Sequence, residues 1–365
     1  MSCQPVNAQT ATPDRPNILF ILTDDQGVGD LSSHGNPVLT TPATDELLES
    51  GAEFTRFYVN PVCAPTRASF LSGQYSHRTG AYFVTRRAET MTDSVQTIPE
   101  VLATNGYQSG LFGKWHNGAT YPYNPAGQGF DEFLGFCMGH HNRYYDYFLE
   151  DETSTKISFT GYITDVLADS AYQFMMNQQT AGIPFFCMLA LPAPHTPVQG
   201  PGELFEKYQD KGVDEFTAGV YAMIEANDLA IGRLMRQLEE SGLDKNTIVI
   251  FSTANGPNGN RYNQGRRGKK GQVDEGGVRV PFAIKFPGNH PANGKKISTV
   301  AAHIDLLPTL AELTETPLPV HLQPIDGKSI VPLLNTPQLE WPARNIYTFR
   351  SEEHTSELQS RVDIS

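Results

Sequence analysis

Short apolar runs alternate with amphipathic segments along most of this chain. The run NILFIL at residues 17–22 is apolar and bounded by polar residues, as expected for a strand that is buried on both faces. The runs YQSGLF, PFFCMLAL, TIVIFS and VRVPFAIKF are predicted to be further strands. Each run is short enough to cross a sheet once.

The segments between these runs carry helix signals. In TPATDELLESG, Thr41 suits the N-cap, Pro42 the first helical position and Gly51 the residue beyond the end, and TIPEVLATNG at 97–106 repeats this pattern. HIDLLPTLAEL is predicted to be another helix. A long helix is predicted at about 214–241, with an apolar stripe of Val220, Ile224, Ile231, Leu234 and Leu238. The alternation predicts an α/β fold whose central sheet is mostly parallel.

Polar side chains follow four of the predicted strands. The strand ends are followed by Asp24 and Asp25, by Lys114 and His116, by His195, and by Asn255. Ligands of open α/β sheets bind outside the carboxyl ends of the strands. The sequence therefore predicts that these side chains converge on one rim of the sheet.

Composition narrows the classes of partner. The 365 residues include 27 Lys and Arg against 40 Asp and Glu, a net charge of −13, which argues against a nucleic-acid partner. No apolar run reaches the roughly 20 residues of a membrane span. The cysteines lack the spacing of a zinc site or a disulfide framework, and Cys187 reads as a buried apolar residue.

The two ends of the chain look unlike its middle. Residues 1–16 are polar, lack the apolar stretch of a signal peptide and are predicted to be a flexible lead-in. The stretch RSEEHTSELQS resembles the translation of a sequencing adapter, so residues 350–365 are predicted to be a non-native tail. One folded domain is predicted at 17–349.

The adjacent carboxylates of Asp24 and Asp25 suggest a cation site. Two like charges this close ionise together readily only beside a cation, and their oxygens, with the amide of Asn255, suit Ca²⁺ or Mg²⁺. An ordinary turn is the alternative, because aspartate is common in turns.

Several cationic groups suggest an anionic substrate. Lys114, His116, His195 and a lysine of GRRGKKGQVDEGG could hold a tetrahedral oxyanion together with the N-terminus of the helix that begins near Cys63. Each of these residues alone also fits a structural role.

The stretch Cys63-Ala64-Pro65-Thr66-Arg67 resembles the C-x-P-x-R signature of type I sulfatases, whose cysteine is oxidised to Cα-formylglycine. The stretches LTDDQGVGDLSSHGNP, ASFLSGQYSHRTG, GKWH, PHTP and RGKKGQVDEGGVRVP resemble the same family in the same order. The resemblance covers about residues 17–334. It implies an alkaline-phosphatase-like fold, a mixed sheet sandwiched by helices. A small C-terminal subdomain of the family is expected to be largely missing here.

The resemblance also implies a role for each residue of the site. Cys63 would become the formylglycine nucleophile, and one Ca²⁺ would be bound by Asp24, Asp25, Asn255 and residue 63. Arg67 and His116 would hold the hydrated aldehyde, with His116 removing a proton. The sulfate oxygens would be bound by Lys114, His195 and Lys270, and the last two would help to protonate the leaving alcohol. Lys270 is preferred to Lys269 because its spacing to Glu275-Gly276-Gly277 matches the family.

One residue departs from the family pattern. Ala254 stands where the family usually has an aspartate that ligates calcium. The alanine is consistent with an engineered or sequencing change, with a slow natural enzyme, or with a non-catalytic protein that binds sulfate esters. A phosphatase or phosphonate hydrolase of the same superfamily is the enzymatic rival, and Cys63 counts against it.

The implied partners are a sulfated small molecule or glycan and, during maturation, the formylglycine-generating enzyme. The resemblance implies a periplasmic or secreted location. The loop FCMGHHNRYYDYF at 136–148 is predicted to line the substrate entrance through Arg143 and Tyr144, with a lid over the core as the alternative.

Overall fold

The computed structural model of the chain describes residues 15–319 and 324–350. The predicted lead-in at 1–16 and tail at 350–365 therefore lie, except for residues 15, 16 and 350, outside the described residues. The strands are β1 (Asn17–Thr23), β2 (Ala52–Phe54), β3 (Phe57–Tyr58), β4 (Gln108–Lys114), β5 (Glu132–Phe136), β6 (Tyr147–Asp151), β7 (Lys156–Phe159), β8 (Phe185–Ala190), β9 (Thr247–Thr253), β10 (Arg279–Val280), β11 (Phe282–Lys285), β12 (Lys296–Ile297) and β13 (Ala301–Ala302). The helices are α1 (Pro42–Ser50), α2 (Cys63–Ser72), α3 (Ser76–Thr79), α4 (Ile98–Ala103), α5 (Ile163–Ala181), α6 (Gly202–Gln209), α7 (Glu215–Ser241), α8 (Glu275–Val278), α9 (Leu306–Leu313) and α10 (Val331–Asn335).

A ten-stranded mixed sheet forms the centre of the fold, in the order β12-β2-β11-β9-β1-β8-β4-β5-β6-β7. The adjacent strands β9, β1, β8, β4 and β5 are parallel to one another. Antiparallel β11 and β6 flank them on the two sides. The predicted mixed sheet with a parallel centre is therefore confirmed.

Each face of the sheet is covered by helices. In β1, Phe20 belongs to a core shared with α2, α4 and α9, whereas Leu19 and Ile21 belong to a core shared with α1, α5 and α7. Successive side chains of a strand point to opposite faces, so a strand buried on both faces must be apolar throughout. This is why NILFIL reads as a continuous apolar run.

The predicted strand VRVPFAIKF is wrong as a single strand. It is divided at Pro281 into β10, which pairs with β3 in a separate three-stranded sheet, and β11, which pairs with β9 in the main sheet. Proline has no N–H for a strand ladder, so it favours such a break.

Helix α7 has nearly the predicted bounds, but its apolar side chains pack into two separate hydrophobic clusters. The Asp214 side chain accepts a hydrogen bond from the backbone N–H of Thr217, which caps the helix. Val220 packs in a small cluster with α6, whereas Leu234 packs in the core under the sheet. None of the helices formed by the described residues has the length and apolar character of a bilayer span.

His303 is a buried histidine that faces the backbone of β3. Its Nδ1–H donates to the carbonyl of Tyr58 (3.1 Å), and the Asn60 amide donates to its Nε2 (3.0 Å). Burial lowers the pKa of His303 to about 3, and the hydrogen bond to the Tyr58 backbone offsets only part of this effect. The folded protein therefore holds this imidazole neutral.

We expect His303 to make the fold less stable in acid. Between pH 6.5 and about 3 the unfolded chain protonates this histidine and the folded protein does not. The free energy of unfolding should therefore fall toward low pH, by up to about 1.4 kcal/mol per pH unit. Chemical unfolding of wild type and His303→Gln at pH 7 and pH 5 tests this, and the advantage of the wild type should shrink at pH 5. An equal advantage at both pH values would contradict the expectation.

Candidate active site

The ends of the parallel strands bring the predicted residues together. Asp24 and Asp25 follow β1, His116 lies two residues beyond β4, and Asn255 follows β9. Asp25 and His116 have positive φ angles of 65° and 70°. Backbone strain of this kind in non-glycine residues concentrates at functional sites.

Asp24 is paired with two buried cations. Lys114 Nζ donates to Asp24 Oδ2, and Arg67 Nη2 lies 3.7 Å from the same oxygen, with all three side chains at most 1% exposed. Burial raises the pKa of Asp24, but the charges of Lys114 and Arg67 outweigh burial, so the net pKa is well below its usual range. Asp24 is therefore ionised at neutral pH.

Asp25 is held by groups from two other loops. Its Oδ1 accepts hydrogen bonds from Asn255 Nδ2 (2.8 Å) and Lys270 Nζ (2.6 Å). The Nε2 atom of His195 lies 3.8 Å from Asp25 Oδ2. Burial lowers the pKa of Lys270, but the Asp25 carboxylate more than offsets this, and the net pKa is raised. Lys269 Nζ instead contacts Asn260, so the choice of Lys270 for the site agrees with this geometry.

Glycines allow the Lys270 loop to pack against the Asn255 turn. The N–H of Gly256 donates to the carbonyl of Gly277 (2.9 Å), and a Cβ atom on Gly256 would lie 2.1 Å from the Gly276 carbonyl oxygen. A side chain at this position would push the two segments apart.

Cys63 is the first residue of α2 and is 1% exposed. Its Sγ atom lies 3.3 Å from His116 Nδ1 and 3.5 Å from Lys114 Nζ. One turn on, Arg67 Nη1 donates to the Lys114 carbonyl (2.8 Å), while its Nε and Nη2 atoms have no hydrogen-bond partner among the described residues. Arg67 is thus a buried part of the site.

The neighbours of His116 define its tautomer. Its Nε2 lies 3.0 Å from the Val84 carbonyl, which can only accept, so Nε2 carries the hydrogen. Burial and the charge of Lys114 lower the pKa of His116 to about 3. The Nδ1 atom that faces Cys63 therefore carries no hydrogen at neutral pH and can accept one.

Three oxygen atoms around the two aspartates fit a hard cation. Oδ1 of Asp24, Oδ2 of Asp25 and Oδ1 of Asn255 are buried and make no hydrogen bond in the described structure. Such oxygens are the ligands that Ca²⁺ prefers. No group of three or more His, Cys, Asp or Glu side chains among the described residues is placed to hold a metal ion. The buried Ala254 adds no ligand oxygen from its side chain.

The sequence reasoning missed Arg261 and Asp30. Arg261 Nη2 donates to the main-chain carbonyl of Asp25 (2.8 Å), and its Nε donates to Asp30 Oδ1 (2.7 Å). Asp30 Oδ2 also accepts from the N–H of Gly27 (2.7 Å). These contacts fix the loop after β1 and hence the orientation of Asp25. In the sequence, the only signal for this supporting role was that Asp30 lies five residues after Asp25.

Asn117 was also missed. Its amide donates to the carbonyls of Ala64 (3.0 Å) and Glu89 (3.1 Å), which ties the first turn of α2 to the segment after β4.

For the 136–148 loop, the structure contradicts the predicted position of one of the two named residues. Arg143 is exposed beside a cavity of about 510 Å³, but Tyr144 is buried, and its hydroxyl donates to the His195 carbonyl (2.8 Å). Tyr144 therefore supports the His195 loop and does not line an entrance.

Comparisons with known proteins point to one family. A family model described as Sulfatase matches residues 16–316. The chain is 31% identical over 343 residues to arylsulfatase J of Mus musculus, covering 88% of this chain and 56% of that protein. It is 34% identical over 355 residues to arylsulfatase A of Homo sapiens, covering 87% and 68%. The crystal structure of Ps i-CgsB in complex with k-i-k-neocarrahexaose is 29% identical, with a TM-score of 0.85, and the match covers 93% of this chain and 80% of that one. The chain thus spans about half to two thirds of these curated relatives.

Proposed function

Because the chain belongs to the sulfatase family, in the alkaline phosphatase superfamily, we propose that it hydrolyses sulfate esters at the site around Cys63. The nucleophile would be a Cα-formylglycine made from Cys63, and one Ca²⁺ would be bound beside it. The observation that carries this proposal is the position of Cys63 Sγ, within 3.5 Å of both the neutral His116 and the buried Lys114. A buried thiol beside Lys114 and close to the ionised Asp24 is poorly explained as packing alone.

The calcium ion would be held by Asp24, Asp25 and Asn255, with residue 63 as a further proposed ligand. The three unpartnered oxygens of these side chains support that assignment. Bound calcium supplies positive charge that offsets the negative charge of the sulfate and of the two aspartates.

His116 is suited to take a proton from the group at residue 63. Its Nδ1 lone pair faces that position, and the Val84 carbonyl fixes the ring through Nε2. The Nε and Nη2 donors of Arg67, which make no hydrogen bond within the described residues, can hold oxygen atoms at the same position. The hydrated aldehyde proposed at residue 63 would supply the attacking oxygen, and the aldehyde would form again as sulfate leaves.

The remaining basic side chains differ in depth, which suggests a division of roles. The Lys114 side chain is fully buried, whereas His195 and Lys270 are 14% and 19% exposed. All three can bind sulfate oxygens. The leaving alcohol must face solvent, so His195 and Lys270 are the proposed donors of its proton.

The proposed substrates are sulfated small molecules or glycans. The neocarrahexaose bound to Ps i-CgsB supports the glycan option. The formylglycine-generating enzyme is the proposed partner in maturation, and a periplasmic or secreted location is proposed from the family resemblance.

Co-expression with the formylglycine-generating enzyme tests this function. Mass spectrometry should find an aldehyde at residue 63, and 4-nitrophenyl sulfate should be hydrolysed. Cys63→Ala should lower that rate by at least about 10³-fold, because no nucleophile forms. Faster hydrolysis of 4-nitrophenyl phosphate than of the sulfate would favour the phosphatase alternative. A plain thiol at residue 63 after co-expression would contradict the proposed nucleophile.

A further inference from the structure

Arg86 and Arg87 form the tip of a tight turn. The N–H of Phe83 donates to the Ala88 carbonyl (2.9 Å), and the N–H of Ala88 donates to the Thr85 carbonyl (3.1 Å). Both arginines have positive φ angles, 60° and 69°. Two successive residues in this conformation are normally Asn-Gly or another pair with small side chains. Two arginines at these positions therefore run against the residue preferences of such a turn.

This turn lies beside the candidate active site. Val84, two residues before Arg86, provides the carbonyl that binds His116 Nε2 (3.0 Å). A Cβ atom on Gly139 would lie 2.5 Å from the same nitrogen atom of His116. The segment that carries the two arginines thus contacts His116 directly through its backbone.

The two arginines are available for a ligand. Both are exposed, and neither makes an ion pair within residues 15–319 and 324–350. Several other arginines in the described part of the chain are paired, as Arg233 is with Asp165 and Arg279 with Glu275. In a chain of net charge −13, two adjacent cations without acidic partners form a local site of attraction for anions.

We propose that Arg86 and Arg87 bind a second anionic group, a sulfate or a carboxylate, on the glycan whose sulfate ester lies at residue 63. The inference rests on the proposed function and specifies its substrate class as glycans that carry more than one negative charge. Guanidinium groups bind such oxyanions in a bidentate manner. Local sequence preferences are most often violated where a functional site requires it.

The variant Arg86→Asn/Arg87→Gly separates charge from folding. Asn-Gly suits the turn, so the variant should fold and its Tm should rise by roughly 1–3 °C. Its affinity for a heparin-derived hexasaccharide, measured by calorimetry in a Cys63→Ala background, should fall about tenfold at low salt. The difference should shrink in high salt, because mobile ions screen exposed charges.

Two controls define the result. Arg86→Lys/Arg87→Lys should keep part of the affinity. Arg236→Asn/Lys245→Asn removes two exposed cations, one on α7 and one just before β9, and should leave the affinity unchanged. Equal binding by the Asn-Gly variant and its parent, or an equal loss in the remote control, would overturn the proposal.

Turnover distinguishes this inference from the proposed function. The Asn-Gly variant should hydrolyse 4-nitrophenyl sulfate at the parental rate, since that ester has one charge. A matching loss on this small ester would show that the turn acts through Val84 and His116, and would overturn the inference. If no form hydrolyses any sulfate ester, the proposed function fails, and the affinities still decide whether the turn binds polyanions.

Discussion

Ala254→Asp is expected to raise the rate of sulfate ester hydrolysis by about 10²–10⁴-fold. Ala254 directly follows β9 and precedes Asn255, whose amide donates to Asp25 (2.8 Å). Its own N–H donates to the Thr23 carbonyl (2.9 Å), so the backbone at this position is already fixed beside the two aspartates. A carboxylate here would add the acidic ligand that the family resemblance implies. Hydrolysis of 4-nitrophenyl sulfate by the two co-expressed proteins measures the gain.

Thermal stability gives a second readout that does not depend on turnover. In EDTA the new carboxylate of Ala254→Asp faces the charges of Asp24 and Asp25, so the variant should unfold at a lower temperature than wild type. Calcium binds only the folded site and should raise the Tm of the variant more than that of wild type. Ala254→Asn, which adds an amide of similar size, should show a smaller response.

The outcomes of these measurements distinguish the possible explanations for an alanine at position 254. A rate gain together with a larger calcium response supports a site that lacks one acidic ligand. No turnover from either protein, with the aldehyde present at residue 63, would support a non-catalytic protein that binds sulfate esters. Equal rates would show that Ala254 does not limit the reaction.

The sheet and the residues at its rim could be predicted because local patterns determine them. A strand buried on both faces must be apolar throughout, and the carboxyl ends of parallel strands meet at one edge. Asp24, Lys114 and Asn255 were therefore expected to converge, and in the structure Lys114 donates to Asp24 while Asn255 donates to the adjacent Asp25. The role of Cys63 as a nucleophile was suggested only by its family signature.

The supporting contacts could not be predicted, because they join distant parts of the chain without a motif. Arg261 reaches the carbonyl of Asp25 across 236 residues. Tyr144 lies in a polar, aromatic stretch that resembles a surface loop, but its ring fills the core and its hydroxyl reaches His195. Burial of this kind depends on the packing of several elements and has no periodic signature.

Lys114→Met is expected to destabilise the fold by about 3–5 kcal/mol at pH 7 in EDTA, and to abolish activity. The variant leaves the buried Asp24 with Arg67 as its nearest cation, 3.7 Å away. The pKa of Asp24 is raised by burial and lowered chiefly by Lys114, so without the lysine the pKa should rise. The cost then arises from keeping a buried carboxylate ionised after its main counter-charge has been removed.

The pH dependence of this loss distinguishes a buried charge from a packing defect. In wild type the lowered pKa of Asp24 stabilises the fold above the unfolded value of about 3.8. In Lys114→Met the raised pKa lets Asp24 take up a proton as the pH falls toward 4.5, so the difference between the two proteins should shrink there. Chemical unfolding at pH 7 and pH 4.5 measures this. Lys207→Met is the matched control, because its pair with Glu225 is partly exposed and should contribute at most about 1 kcal/mol. A deficit that is equal at both pH values would mean that Lys114 stabilises the fold by packing, and the electrostatic account of this site would then be wrong.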